Sequence, residues 1–217
     1  MANNDNPTGL IPVGYLNGAP YNGQGRMFHV PATDGTAIFV GSPVTLAATG
    51  SNTAAVVNAE QFYAPGTVAD VKHAAAGAGT VPILGVCVAV EPIIGTGADQ
   101  QNSTIYRAAS TDRYIWVETD PQVIYEIQED NAVSDIAAAD VNLNADLIAT
   151  SAGSTVTGLS GWELDSSSVA ATATLDVQVL GLVNRPDNVI GTNAKWLVRI
   201  NLHQYNMTDA TTGSVGI

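Results

Sequence analysis

The segment 174–205 contains the clearest alternation of apolar and polar residues in the chain. Every second residue is apolar from Leu175 to Val179, and the same spacing returns from Trp196 to Leu202. A period of two places alternate side chains on opposite faces of a β-strand. The residues between the two runs are rich in Asn, Asp, Gly and Pro, which favour turns. The segment therefore predicts two strands joined by a loop.

The composition favours the same class of structure for the whole chain. The hydrophobic fraction is 46%, much of it Ala and Val, and 21 glycines are spread among many Thr, Ser and Asn residues. This mixture favours short strands and turns over long helices. A chain of 217 residues is also long enough to bury a core without disulfides. We expect an all-β sandwich or barrel, either a jelly roll or a tulip-like barrel, with at most one or two short helices.

Local patterns add further expected elements. Strands are predicted at 26–30 and 81–91, and a hairpin is predicted within 114–128, with its turn at Asp120-Pro121. The segment 58–80 has a poor strand pattern and is expected to hold a one-turn helix and a loop. The best candidate for a short helix is 134–139, where a Ser or Asp precedes a run of alanines.

The first 25 residues are expected to form an extended arm. Three prolines block a helix, and closely spaced glycines weaken strand pairing. A disordered tail has few large apolar residues, whereas this segment has several, so the arm is expected to lie on a surface. That surface is either its own domain or, as the favoured alternative, a neighbouring subunit. The candidate anchors are Leu10, Ile11, Val13, Tyr15 and Tyr21.

These patterns divide the chain into three parts. Residues 1–25 form the extended N-terminal arm, residues 26–205 form the β domain, and residues 206–217 are a polar, Gly-containing segment that is expected to be a flexible tail.

Charge limits the classes of partner. Seven Lys and Arg against 20 Asp and Glu give a formal net charge of −13. Affinity for a phosphate backbone comes from basic side chains, so nucleic acid is an unfavourable partner. The most apolar run, 81–90, is too short to cross a bilayer core of roughly 30 Å. Because Arg26 is the first basic residue, we expect that the chain is not secreted through an N-terminal signal. The single cysteine, Cys87, lies between valines and is expected to be a small buried hydrophobic residue.

The sequence contains no pattern of residues that by itself indicates a reaction. His29, His73 and His203 lie far apart and lack the spacing of a zinc site, although the fold could still bring them together. His203 is expected at the surface or in an interface. The sequence provides neither a nucleophile elbow nor a phosphate-binding loop.

Two further groups of residues permit a binding or catalytic interpretation. The carboxylates near 126–135 include the pair that a glycosidase needs, although a solvated acidic rim is favoured. Three tryptophans could form a sugar platform, but two of them lie in apolar alternation and are expected in the core. The carboxylates are Glu126, Glu129, Asp130 and Asp135, and the tryptophans are Trp116, Trp162 and Trp196.

Several strings along the chain resemble a known family. Together they are similar to the small structural proteins of tailed bacteriophages that are encoded near the major capsid protein, and the resemblance covers most of the chain. The strings are Asp5-Asn6-Pro7-Thr8-Gly9-Leu10, Leu16-Asn17-Gly18-Ala19-Pro20, Val30-Pro31-Ala32-Thr33-Asp34, Arg113-Tyr114, Glu126-Ile127-Gln128-Glu129-Asp130, Gly181-Leu182-Val183-Asn184-Arg185-Pro186-Asp187-Asn188 and Trp196-Leu197-Val198-Arg199-Ile200-Asn201.

The resemblance implies a capsid decoration, or cement, protein. Such a virion subunit is made in the host cytoplasm, binds the outer surface of the icosahedral shell and contacts the major capsid protein. It forms homo-oligomers, with a trimer favoured over a dimer, is not an enzyme and needs no cofactor or metal. The alternative is a phage-borne host-adhesion or carbohydrate-binding module, which would expose Trp162 or tyrosines beside Asp and Asn.

Overall fold

The computed structural model describes residues 3–53, 56–58, 61–77, 81–92, 103–132 and 134–205. These residues form fourteen β-strands and two short 3-10 turns, which confirms the predicted all-β class. The strands are β1 Ile11–Tyr15, β2 Arg26–Val30, β3 Pro43–Ser51, β4 Val56–Asn58, β5 Gln61–Tyr63, β6 Ala69–His73, β7 Gly85–Val90, β8 Arg113–Glu118, β9 Val123–Gln128, β10 Asn144–Ala145, β11 Leu147–Gly153, β12 Ser160–Leu164, β13 Val177–Leu182 and β14 Lys195–Ile200.

Five strands close into a barrel in the order β2-β6-β3-β7-β8, with β8 returning to pair with β2. Closure removes the exposed strand edges that an open sheet would present. Alternation along β8 directs Ile115 and Val117 into the barrel, so Trp116 and Glu118 lie on its outer face. The barrel core consists of Phe28, Val30, Ile38, Val44, Val71, Leu84, Cys87, Ile115 and Val117.

A second core belongs to an open five-stranded sheet in the order β1-β9-β14-β13-β10. The antiparallel pair β11–β12 packs its apolar residues into the same cluster. Trp162 and Trp196 are the largest side chains of this cluster, and both are buried. Since aromatic side chains bury large apolar areas, these two contribute much of the core.

The strand alternation in 174–205 is confirmed, because β13 and β14 form an antiparallel pair. The hairpin predicted within 114–128 is wrong, although both of its strands exist. β8 pairs with β2 and β7 in the barrel, whereas β9 pairs with β1 and β14 in the open sheet. The turn at Asp120-Pro121 therefore carries the chain from one sheet to the other.

The expected helices are also corrected. The described part of 58–80 contributes β5 and β6 and contains no helix, and the predicted Ser134–Ala139 helix is replaced by a 3-10 turn at Ala138–Asp140. A second 3-10 turn lies at Ser166–Ser168. Both fit the expectation of at most one or two short helices. None of the described helical segments is long and apolar enough to span a membrane.

The N-terminal segment differs from the separate arm that the sequence suggested. Residues 11–15 form β1, the edge strand of the open sheet, and pair with β9. Upstream, the Asn6 amide donates to Gln128 Oε1 over 2.9 Å, and Asn3 is hydrogen-bonded to backbone atoms near Val189. The segment thus folds onto its own domain, and the arm–domain boundary at residue 25 does not hold. The predicted tail, 206–217, lies outside the described residues.

Candidate interaction surface

A close crossing of two glycines fixes where the N-terminal segment lies. Gly9 and Gly41 have φ angles of +71° and +91°, which favour glycine. A Cβ on Gly9 would lie 2.5 Å from the carbonyl oxygen of Gly41, so no larger residue fits. The amide of Leu10 then donates to the same oxygen over 3.0 Å. This crossing directs Leu10 inward and brings Ile11 to the surface.

The five candidate anchors have different environments. Leu10 is fully buried in the core of its own domain, so its assignment as a contact with a neighbouring subunit is wrong. Ile11 and Val13 are 37% and 42% exposed, on the edge strand of the sheet. Tyr15 and Tyr21 are half-buried, with ring centroids 6.2 Å apart. The exposed apolar residues along this edge of the sheet are therefore Ile11, Val13 and the neighbouring Leu16, which is 41% exposed.

Beside Ile11 lies an apolar groove between β1 and the outer face of the barrel, here called the Trp116 groove. Its volume is about 650 Å³, which is in the range of ligand and peptide sites. The indole N–H of Trp116 donates to Glu91 Oε1 over 2.5 Å, which fixes the ring against the barrel. The side chains that define the groove are Ile11, Tyr21, Val40, Val88, Trp116 and Leu159.

The Trp116 groove continues into a more polar pocket of about 580 Å³, because Trp116 and Gly25 line both. Glu118 and Asp120 lie in this second pocket and define the acidic end of the groove; Arg26 also lines the pocket, with its guanidinium carbon 5.9 Å from the centroid of the Phe28 ring. Glu118 is 3% exposed. Its Oε1 accepts the amide of Asp120 over 2.9 Å, while its Oε2 is buried without a hydrogen-bond partner in the described structure. Burial raises the pKa of Glu118.

The three histidines do not converge on one site. His29 Nδ1 lies 2.7 Å from Asp70 Oδ1, His73 Nε2 accepts the indole N–H of Trp162, and His203 is buried elsewhere. The expectation that His203 lies at the surface or in an interface is wrong, because it is buried within its own chain, and burial lowers its pKa to about 4. Within the described ranges, no group of three His, Cys, Asp or Glu residues is arranged to hold a metal ion.

The carboxylates near 126–135 do not form the solvated rim that was expected. Glu129 is fully buried and Asp130 is 8% exposed, so this part of the expectation is wrong. Asp130 Oδ1 accepts the hydroxyl and amide of Ser166, which fixes the turn after β12. Glu126 instead pairs with Arg185 at 2.8 Å on the surface. Each of these carboxylates thus has a structural partner.

The tryptophans do not form a sugar platform. Trp162 and Trp196 are at most 1% exposed and belong to the core, as was expected of two of the three tryptophans. The alternative adhesion module would expose Trp162 or tyrosines beside Asp and Asn; Trp162 is buried, and the version that uses tyrosines stays a prediction. Trp116 is partly exposed, with mainly apolar neighbours in the groove and the polar Glu118 and Asp120 in the adjoining pocket. One partly exposed ring does not make a platform of several tryptophans.

Three functional or structural residues were not identified from the sequence. Arg107 and Arg113 are buried, and their guanidinium groups donate to backbone carbonyl oxygens of loops beside the barrel. Glu118 appeared only as the end of a predicted strand. A lone charged residue carries no periodic signal, so only the three-dimensional arrangement distinguishes these residues from ordinary surface charges.

Comparison of the chain with protein-family models, with curated proteins and with solved structures gives no significant match.

Proposed function

We propose that the protein is a capsid decoration subunit that binds the outer surface of an icosahedral phage shell and cements neighbouring capsomers. The observation that carries the proposal is a contiguous apolar surface on an acidic chain. Ile11 lines the Trp116 groove, Val13 and Leu16 follow it along the chain, all three are exposed, and the net charge is −13. Protein interfaces are built from such apolar and aromatic centres with a polar surround. The resemblance of the sequence strings supplies the identity of the partner.

The physical role of such a subunit is mechanical. Packaged DNA loads a shell outward, and a subunit that spans two capsomers adds contact area that must separate before the capsomers do. In a homo-oligomer several weak contacts act together, because the second contact forms at high effective concentration. The favoured oligomer is a trimer. The acidic exterior opposes binding to released DNA.

The folded N-terminal segment changes how this contact is made. Leu10 is part of the domain core, so the segment is not a free arm that exchanges between subunits. The proposed contact is instead a preformed surface, consisting of the exposed face of β1 and the adjoining groove. A preformed surface loses less conformational entropy on binding than a flexible arm would.

Point substitutions test this proposal better than deletion of residues 1–25, which would remove β1 from its sheet. The protein is mixed with DNA-free shells that lack it, and co-sedimentation is measured. We expect saturable binding by the wild type and weak binding by Val13→Asp. The control is Ile190→Asp, because Ile190 is 47% exposed in the loop between β13 and β14 and lines neither the groove nor the adjoining pocket.

Two outcomes would contradict the proposal. The first is a wild-type protein that does not sediment with shells at any concentration. The second is a Val13→Asp variant that binds shells as tightly as the wild type and the Ile190→Asp control do. Sedimentation velocity of the free protein gives the oligomeric state, for which a trimer is expected.

A further inference from the structure

The Trp116 groove has a chemical polarity along β8. Trp116 and Glu118 are two residues apart in one strand, so their side chains lie on the same outer face of the barrel, separated by about 7 Å. Trp116 contributes to the apolar part, and Glu118 lies at the acidic end together with Asp120. The groove therefore changes from apolar to acidic over the distance between one strand residue and the next residue on the same face.

Glu118 has an unusual environment for a carboxylate at the acidic end of the groove. Only 3% of the surface of Glu118 is exposed, yet its Oε2 has no hydrogen-bond partner within the described ranges. A buried carboxylate oxygen without a donor costs free energy, because desolvation is not offset. The nearby Tyr21 hydroxyl donates to the carbonyl oxygen of Gln24 and so does not satisfy Oε2, while burial and then the Glu118 carboxylate raise the pKa of Tyr21. A positively charged donor placed at this end would satisfy both the hydrogen bond and the charge.

We propose that the Trp116 groove receives an extended segment of the shell protein in which an apolar residue is followed two positions later by Lys or Arg. The apolar side chain packs on Trp116 and Val88, and the basic side chain pairs with Glu118 and Asp120. In an extended segment, residues two apart point to the same side, which matches the spacing of Trp116 and Glu118. This inference rests on the proposed function and specifies the partner's chemistry.

Charge complementarity selects this occupant over a second copy of the chain. A second copy offers few free cations for this end of the groove, because four of the seven basic residues are committed within its own fold. Arg107 and Arg113 are buried, and Arg185 and Lys195 pair with Glu126. The chain's own C-terminal residues, 206–217, are also unsuited, because they contain an aspartate and no Lys or Arg.

The inference is tested with Glu118→Gln, which retains the acceptor for the Asp120 amide and removes the charge. The matched control is Asp187→Asn, an exposed carboxylate outside the groove. The probe is a set of overlapping 12-residue peptides that cover the shell protein of the same particle, each also made with Gln in place of every Lys and Arg. Binding is measured by fluorescence anisotropy, and thermal unfolding checks that each variant is folded.

The expected result is that bound peptides carry the apolar-x-basic pattern and that Glu118→Gln binds them at least about tenfold more weakly, whereas Asp187→Asn binds normally. The inference would be overturned if peptides bound equally well after their Lys and Arg residues were replaced by Gln, or if no peptide bound. Co-sedimentation with whole shells separates the two proposals. Shell binding that Glu118→Gln leaves unchanged overturns the groove inference alone, and absence of wild-type shell binding contradicts the proposed function.

Discussion

The indole N–H of Trp196 donates a 3.0 Å hydrogen bond to Glu129 Oε2 inside the core of the open sheet. The backbone amide of Ile136 donates to the same oxygen, and Glu129 Oε1 is buried without a partner in the described structure. Burial, with a smaller effect of the Asp135 charge, raises the pKa of Glu129 to about 7. The carboxyl group is therefore half protonated near neutral pH.

This pKa predicts a pH-dependent stability. The folded state retains a proton that the unfolded state releases between pH 4.5 and 7, so the free energy of unfolding falls as the pH rises through that window. The full effect of one such group is about 3 kcal/mol. Glu129→Gln, which cannot ionise, should lose less stability than the wild type between pH 5 and pH 8.5. Urea unfolding at several pH values measures this difference, and identical pH profiles would contradict it.

The crossing of Gly9 over Gly41 predicts a steric effect of substitution. Gly9→Ala places a Cβ 2.5 Å from a backbone oxygen and should destabilise the fold. Gly18→Ala is the control, because Gly18 has a similar φ of +85° but no atom within 4 Å of the added Cβ. Gly18→Ala should cost about 1 kcal/mol from backbone strain, and Gly9→Ala should cost about 1–3 kcal/mol more. Equal losses in chemical unfolding would show that the crossing is not tightly packed.

Arg107 connects three backbone carbonyl groups. Its guanidinium donates to the oxygens of Thr111, Thr36 and Pro31 over 2.7–2.9 Å, and the side chain is buried. Arg107→Met should lower the free energy of unfolding by about 3 kcal/mol or more, since the carbonyls lose their donor. Arg185→Met, which removes an exposed ion pair, should cost less than about 1 kcal/mol. Calorimetry compares the two variants, and similar melting temperatures would contradict the assigned role.

Cys87 should be chemically unreactive in the native protein. Its thiol is fully buried in the barrel core, and burial raises its pKa to about 12. Because the thiolate is the reactive species, Ellman's reagent should label Cys87 only after denaturation. Rapid labelling of the native protein at pH 8 would show that the barrel opens under native conditions.

The strands that could be predicted from the sequence are those with a long period-two pattern. β2, β13 and β14 were located from alternation alone, and Cys87 was placed correctly because its neighbours are valines. Alternation indicates that a strand exists but not which strand it pairs with. This is why β8 and β9 were expected to form a hairpin although they belong to different sheets.

The remaining errors also have physical causes. β5 has only three residues, too few for a period to be recognised, and β6 follows an irregular segment. The apolar residues of the N-terminal segment were correctly expected to need a surface. Whether that surface was internal depended on the Gly9–Gly41 crossing, which brings together positions 32 residues apart (41 − 9). The acidic end of the groove could not be predicted either, because it forms from segments that are distant in the sequence.

The most direct test of the account is cryo-electron microscopy of the assembled particle that contains this chain. The account predicts density for the protein on the outer surface of the shell, with Val13 facing a capsomer and a segment of the shell protein in the Trp116 groove. A particle in which this chain lies away from the shell surface, or in which β1 and the groove face solvent throughout, would contradict it.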